Sequence, residues 1–343
     1  MEEKKLYPLK FKPIFKDKIW GGHKIKSVLE KDFSPLPNCG EIWVLSGVKD
    51  NETLVENGFL AGNNLAELTE IFMDDLLGAP VHNKFGEDFP ILVKFIDAAD
   101  DLSIQVHPND ELAKKRHNSL GKTEMWYVLD ADPGAELITG FRRDVNKDIY
   151  LDHLEQKKLK DILNIEKVKK GDVYYQPAGR VHAIGEGVLL AEIQQSSDVT
   201  YRIYDYDRTD DQGNKRELHT DQALDAIDFK ACQQYKTAYK DVKNQTSPMV
   251  KSPYFTTNLL HLDSAVSKDY LDLDSFVIHT CTEGSYTLMY DGGNRVPVKK
   301  GEAILLPAVM GKVTIIPDRE TRILETYMEM EKNVKSKLKE NIK

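Results

Sequence analysis

Four side chains have the types and spacing to hold one divalent ion: Gln105, His107, Glu124 and His182. In Ile104-Gln105-Val106-His107 apolar and polar residues alternate, so on a strand Gln105 and His107 project from the same face. Glu124 follows 17 positions after His107 and opens another strand-like run, Met125–Leu129. An amide oxygen, two imidazoles and one carboxylate suit Zn2+ or a similar divalent ion. With one anionic ligand the site keeps a charge of about +1 and stays electrophilic, unlike a closed, thiolate-rich structural zinc site. Lys122, two residues before Glu124, shares that ligand's strand face. A cation close by would depress its pKa and make it a candidate proton carrier. Glu192 and Asp198 are carboxylate candidates for the same task, or for holding an imidazole or arginine in place. Arg202 follows the polar stretch Gln194–Asp198, where a chain leaving a barrel would reach its mouth. It is either a fixed positive charge for a developing oxyanion or a surface ion-pair partner among Asp198, Asp205 and Asp207.

An internal repeat bears on His182. Val168–His182 reads VKKGDVYYQPAGRVH and Val298–Lys312 reads VKKGEAILLPAVMGK. Upstream, TEMWY (Thr123–Tyr127) is echoed by TEGSY (Thr282–Tyr286), which makes Glu283 the expected counterpart of Glu124. The unit Gly171-x5-Pro177-x4-His182 resembles the second motif of the cupin superfamily, in which a strand carries a histidine into a barrel. Five past Pro307 the second copy has Lys312 instead, so the framework persists without its histidine. That pattern argues for a task for His182 beyond packing, and for a second barrel without metal. Glu124 and Gly171 are 47 positions apart, Glu283 and Gly301 only 18, so the first copy carries an insertion of about 29 residues.

The elements that must position these residues read as mainly β with helical insertions. Short strand-like runs broken by Gly, Pro, Asn and Asp point to two jelly-roll-like barrels. Phe89–Ile96 (FPILVKFI) and Val188–Ile193 read as buried strands. Asn64–Leu77 has helical spacing with Asn64 as cap and Glu67 three residues on. Asn146–Leu163 is a second helical stretch, matching the insertion, and about Leu218–Ala226 a third. Residues 1–245 form the expected metal-binding unit, 246–330 the second barrel, and 331–343 a charged tail. The net charge of −9 argues against a general nucleic-acid binder. No run of 18 apolar residues spans a membrane, and the start lacks the apolar core of a secretory signal, so a cytoplasmic protein is expected. Cys39, Cys232 and Cys281, with no CxxC pair, read as buried free thiols.

IWGG (Ile19–Gly22), GEIW (Gly40–Trp43), LSIQVHP (Leu102–Pro108), GKTEMWYVL (Gly121–Leu129), PAGRVHAIG (Pro177–Gly185) and LLAEIQQSSDVTYRIYDYDR (Leu189–Arg208) together resemble the type I mannose-6-phosphate isomerases, in their short bacterial form. The resemblance runs through most of the chain. It implies a bicupin zinc enzyme interconverting mannose 6-phosphate and fructose 6-phosphate, with one zinc held by Gln105, His107, Glu124 and His182 and with Arg202 as the catalytic arginine. Trp20, Glu41, Trp43 and Ser103 belong to the matching motifs; Trp20, Glu41 and Ser103, with Lys122 and Arg202, are expected to bind substrate. The implied partner is a hexose phosphate, with no nucleic acid or membrane, and a homo-oligomer remains open. Longer family members carry a separate helical domain, for which this chain has no room. For the phosphate end, the cluster Lys114, Lys115 and Arg116 is one candidate. Two other classes share such a barrel. An iron dioxygenase favours three histidines or a facial triad, and would show stoichiometric iron with oxygen uptake. A sugar-sensing regulator needs a partner domain or basic recognition helix that this sequence lacks.

Overall fold

The computed structural model describes residues 5–209 and 212–330; the expected charged tail lies outside them. The chain is mainly β, with few helices, and its strands gather into four open sheets. The first half pairs a six-stranded sheet with a five-stranded one. The six-stranded sheet runs Val173–Gln176, Glu124–Ala131, Val188–Gln195, Ile91–Ala98, Glu41–Leu45, Ile14–Lys16. The five-stranded sheet runs Tyr201–Tyr204, Ile104–Val106, His182–Ile184, Glu136–Phe141, Leu163–Lys167. The second half repeats the order. Its larger sheet centres on Thr256–Leu262, Thr321–Tyr327, Val277–Glu283 and Glu302–Leu306, and its smaller on Val266–Asp269, Lys312–Pro317, Ser285–Tyr290 and Asn294–Lys299. None of these sheets closes on itself, so each half is built of two separate sheets, and neither of the two expected jelly-roll-like barrels is a closed one.

The repeated VKKG turn has a local cause. Gly171 and Gly301 sit at φ 88° and 75°, in the left-handed region that an L side chain resists. In each copy the acidic residue that follows closes the turn on the first lysine: Lys169 N donates to Asp172 at 3.0 Å, and Lys299 N to Glu302 at 2.9 Å. The TEGSY echo is different. Gly284, at φ 78°, makes the hairpin there, and register pairs Gln176 with Glu124 but Leu306 with Val277. The counterpart of Glu124 is therefore Val277, not Glu283.

The strands Ile91–Ala98 and Val188–Gln195 are buried at every position because both faces of their sheet are covered. On one face Phe95, Tyr127 and Ile193 join Leu259, Ile278 and Leu324 from the second half in one continuous core. The opposite face lines the interior of the first sandwich. The two halves are joined further at an edge, where Leu9–Lys12 pairs with Glu302–Leu306, Leu9 against Leu305. The expected insertion is present: Lys147–Glu155 and a 3-10 turn, Leu159–Asp161, lie between two strands, and Leu163 already begins the next. With Thr220–Ala226 these helices cover the outer face of the five-stranded sheet through Tyr150, Leu159 and Ala223. Asn64 caps Leu65–Leu77 in a complete capping box with Glu67. Cys39 and Cys281 are buried, but Cys232 is exposed, beside Arg180. Among the described residues no helix is long and apolar enough to cross a membrane.

Phe89 from the first half and Phe276 from the second meet at 4.8 Å between ring centroids. Phe89→Ala is expected to cost about 3–5 kcal/mol in a denaturant melt, because both partners are fixed and the cavity cannot collapse. A cost below about 1 kcal/mol would show that this junction does not hold the halves together.

Candidate metal centre and the adjoining cavity

Cross-strand pairing builds the centre. Arg202 pairs with Gln105, Gln105 with His182, and His182 with Thr139, so one row of the five-stranded sheet points four side chains inward. From the facing sheet, Glu124 opens its strand next to Gln176 and Gln194. One ligand atom each from His107, Glu124 and His182 lies within 4.8 Å of the others, and all three residues are buried. His107 Nε2 is 3.4 Å from Glu124 Oε2, and His182 Nε2 is 3.2 Å from Oε1.

The donor set fits a metal ion. His107 Nδ1 bonds the carbonyl of Val199 at 3.0 Å and His182 Nδ1 that of Arg180 at 2.8 Å. Each imidazole thus donates from Nδ1 and presents the Nε2 lone pair to the shared point, the arrangement that orients metal-bound histidines. Burial pushes both histidines below their ordinary pKa, His107 well below with Lys122 adding to the effect, so both are neutral as ligation requires. His107 Nε2 and both Glu124 oxygens are buried without a hydrogen-bond partner. Three such orphans aimed at one point are costly unless a cation satisfies them. The Gln105 amide lies 3.3 Å from His182 Nε2, and half a turn about its last bond puts Oε1 there.

The second sandwich lacks this set. Lys312 begins its strand as His182 does, but its side chain is 81% exposed and points outward; Val313 is the buried, inward residue. A one-residue slip in a pleat with period 2 moves a side chain to the other face. The inward slots equivalent to Gln105, His107, Glu124 and His182 hold Lys268, Tyr270, Val277 and Val313. His279 bonds Tyr270, which donates to Glu325, while the half-exposed Glu283 pairs with Lys170 and Arg322.

Beside the centre a cavity of about 270 Å3 opens. Lys122, Glu192, Asp198 and Arg202 line it, as do Trp20, Glu41, Ser103 and the ligand candidate Gln105. Four polar lining residues were not among the site residues expected from the sequence: Lys18, Lys94, Thr200 and Arg216. Lys94 was readable as the single charge inside FPILVKFI. It lies 2.9 Å from Glu192 and 3.9 Å from Glu41. Burial works against its charge, but those two carboxylates overcome it and raise its pKa. Burial likewise works against Glu41, which Lys94 and Lys18 nevertheless hold down at about 2. Glu192 also accepts from Trp126 Nε1 at 2.8 Å, and the Trp126 ring meets His182 edge-on. Trp43 is core, with its indole N–H on Glu41. Lys122 Nζ is 4.0 Å from Glu124. Asp198 is exposed at the mouth. The cluster Lys114, Lys115 and Arg116 does not reach the cavity; it lies exposed on the helix Asp110–His117, with Arg116 paired to Asp225. A larger hollow, about 580 Å3, lies on the outer face of the four-stranded sheet and contains none of the ligand candidates.

A mainly β chain with a buried His–Glu–His group beside a polar, enclosed cavity is an enzyme of the cupin class. The model for the phosphomannose isomerase type I catalytic domain matches residues 8–141, and that for the mannose-6-phosphate isomerase cupin domain matches residues 245–321. The chain belongs to the type I mannose-6-phosphate isomerase family. It is 37% identical to mannose-6-phosphate isomerase ManA of Bacillus subtilis, over 89% of this chain and 94% of that protein. With the mannose-6-phosphate isomerase of Streptococcus mutans it shares 35% identity, over 84% of this chain and 89% of that one. The crystal structure of mannose 6-phosphate isomerase from Bacillus subtilis superposes with a TM-score of 0.84 at 33% identity, covering 93% of this chain and 99% of that one.

Removing a ligand should remove the ion. His182→Ala and Glu124→Gln are each expected to lower the divalent metal retained after dialysis from about one ion per chain to near none, whereas Lys312→Ala retains it. Elemental analysis reads this directly, and full metal retention in His182→Ala would exclude the centre.

Proposed function

We propose that this chain is a zinc-dependent aldose–ketose isomerase interconverting mannose 6-phosphate and fructose 6-phosphate through an enediol-type intermediate. The observation that carries the reading is the set of buried, unpartnered ligand atoms on His107 and Glu124, next to a cavity bearing Lys18, Lys94, Lys122, Arg202 and Arg216. The reading treats 1–245 and 246–330 as two cupin units, the first catalytic and the second metal-free, in a cytoplasmic enzyme.

Isomerisation moves a proton between C1 and C2 and develops negative charge on the adjoining oxygens. Gln105, His107, Glu124 and His182 would hold the zinc, which would supply Lewis acidity to the site. Lys122 Nζ, buried beside Glu124, carries the proton. The Arg202 guanidinium holds the developing charge, and its donors need no reorganisation as the charge forms. Glu192, engaged by both Lys94 and Trp126, orients rather than transfers. Trp20, Glu41 and Ser103 position the sugar, and Asp198 exchanges protons with solvent at the mouth.

A coupled assay with both hexose phosphates tests this. Zinc-loaded protein should convert fructose 6-phosphate to mannose 6-phosphate, and a chelator should abolish turnover. Arg202→Ala should lose about 100-fold or more in kcat while keeping its metal. Unchanged turnover in Arg202→Ala would end its assigned role, and iron with oxygen uptake would end the isomerase reading.

A further inference from the structure

We infer that Arg216 grips the phosphate of the substrate, forming with Lys18 a phosphomonoester site at the cavity mouth, beside Arg202. The inference rests on the isomerase reading above and extends it to a residue outside every motif that carries the family resemblance.

The first ground is charge. The cavity is lined by five cations and three carboxylates, Glu41, Glu192 and Asp198, within a chain whose net charge is −9. The inner charges satisfy one another: Lys94 lies between Glu192 and Glu41, and Lys122 faces Glu124. Towards the mouth, Arg202 lines the cavity without an ion pair among the described residues, its guanidinium resting on the carbonyl of Glu217. Asp205, buried just beyond the strand Tyr201–Tyr204, is shared by two guanidiniums, accepting from Arg208 Nη2 at 2.7 Å and from Arg216 Nε at 2.7 Å. Arg208 has a second carboxylate, Asp100, at 3.1 Å, so Asp205 balances Arg216, and the unmatched charge beside them is that of Arg202. Like charges in a partly desolvated site repel unless an anion lies between them.

The second ground is orientation. Arg216 also reaches Asp205 through Nη2, so the carboxylate holds one edge of the guanidinium plane at two points. A pinned guanidinium loses little entropy on binding a second oxyanion, and its planar fork matches phosphate geometry. Arg202 is fixed in the same way, with Nη1 on the carbonyl of Glu217 at 2.9 Å, while its Nε is buried without a hydrogen-bond partner. That buried orphan donor, in a residue lining the same cavity as Arg216, is what an oxygen of a substrate whose phosphate sits on Arg216 would satisfy. Lys18 completes the rim, 3.5 Å from Glu41. With the phosphate there, the far end of the sugar extends towards Gln105 and Lys122, where the isomerase reading places the chemistry.

The test compares wild type, Arg216→Gln and Arg216→Lys, each zinc-loaded and checked by thermal melt, with Lys114→Gln as a remote cation control. In Arg216→Gln the KM for mannose 6-phosphate should rise about 10- to 100-fold, with kcat changed less than about threefold. The inhibition constant of inorganic phosphate should rise with it, and the preference for mannose 6-phosphate over mannose, as a ratio of kcat/KM, should fall by the same factor. Arg216→Lys should lie between, because it keeps a charge but not the fork. The inference is overturned if KM and phosphate inhibition stay within about twofold of wild type, or if mannose 6-phosphate and mannose lose equally. Should Arg216→Gln fail to fold, Arg216→Lys decides the same question through a smaller shift. Absence of isomerisation in wild type would instead count against the isomerase reading; calorimetry with inorganic phosphate would still decide the role of Arg216.

Discussion

Each imidazole of the His107–His182 pair commits its Nδ1 proton to a backbone carbonyl, Val199 for one and Arg180 for the other. Much else in the molecule answers to that arrangement. Once Nδ1 donates, Nε2 carries a lone pair, and the two lone pairs converge on the Glu124 carboxylate. The carbonyls can accept only because the chain is held on either side of each. Arg180 lies in the turn between the strands Val173–Gln176 and His182–Ile184, and Val199 lies between Val188–Gln195 and Tyr201–Tyr204. The ligand geometry is therefore a property of how strands enter and leave the sandwich. A histidine placed correctly on a strand but lacking such a carbonyl would present either tautomer.

A second constraint is that one sheet serves two purposes. Alternation gives Glu124, Trp126, Glu192 and Lys94 to the interior, and gives Met125, Tyr127, Ile193 and Phe95 to the core shared by the halves. The apolar face lets the polar face be as charged as it is. Breaking a buried pair such as Lys94 with Glu192 would cost about 3–5 kcal/mol by leaving one charge uncompensated, while the intact pair contributes little net stability. The polar row fixes shape and charge, and the hydrophobic side supplies the cohesion that holds it. The second half has the same lattice with a buried Glu325, but answers it with Tyr270, Lys268 and Asn258.

The His107, Glu124 and His182 cluster was legible in the sequence because strand alternation and the repeat both act at short range. The same holds for the helix cap Asn64, which accepts a backbone N–H three residues on, whereas the cap Asn109 and its helix Asp110–His117 were not read from the sequence. Lys312 and Glu283 misled because matched letters do not report the pleat. Position five past the proline is inward in one copy and outward in the other, and one TE pair opens a strand while the other lies at a hairpin. Lys94 was hidden by its setting, since an apolar run reads as core and its partners come from strands distant in sequence. Arg216 was invisible for a similar reason: nothing near it in sequence reveals that Asp205 will turn it to the cavity. The open sheets, and the pairing of Leu9 with Leu305, depend on contacts between the ends of the chain that no local pattern announces.

That terminal pairing has a consequence for how the molecule is made. The strand Leu9–Lys12 is translated nearly 300 residues before its hydrogen-bonding partner Glu302–Leu306. The apolar back of the six-stranded sheet waits equally long for Leu259, Ile278 and Leu324. The first half thus emerges with an unpaired edge and an uncovered apolar face until the second half follows. The candidate ligands are all translated by His182, but the carbonyl that orients His107 belongs to Val199 and the strand beside Glu124 is Val188–Gln195, so the cradle too waits for the chain that follows.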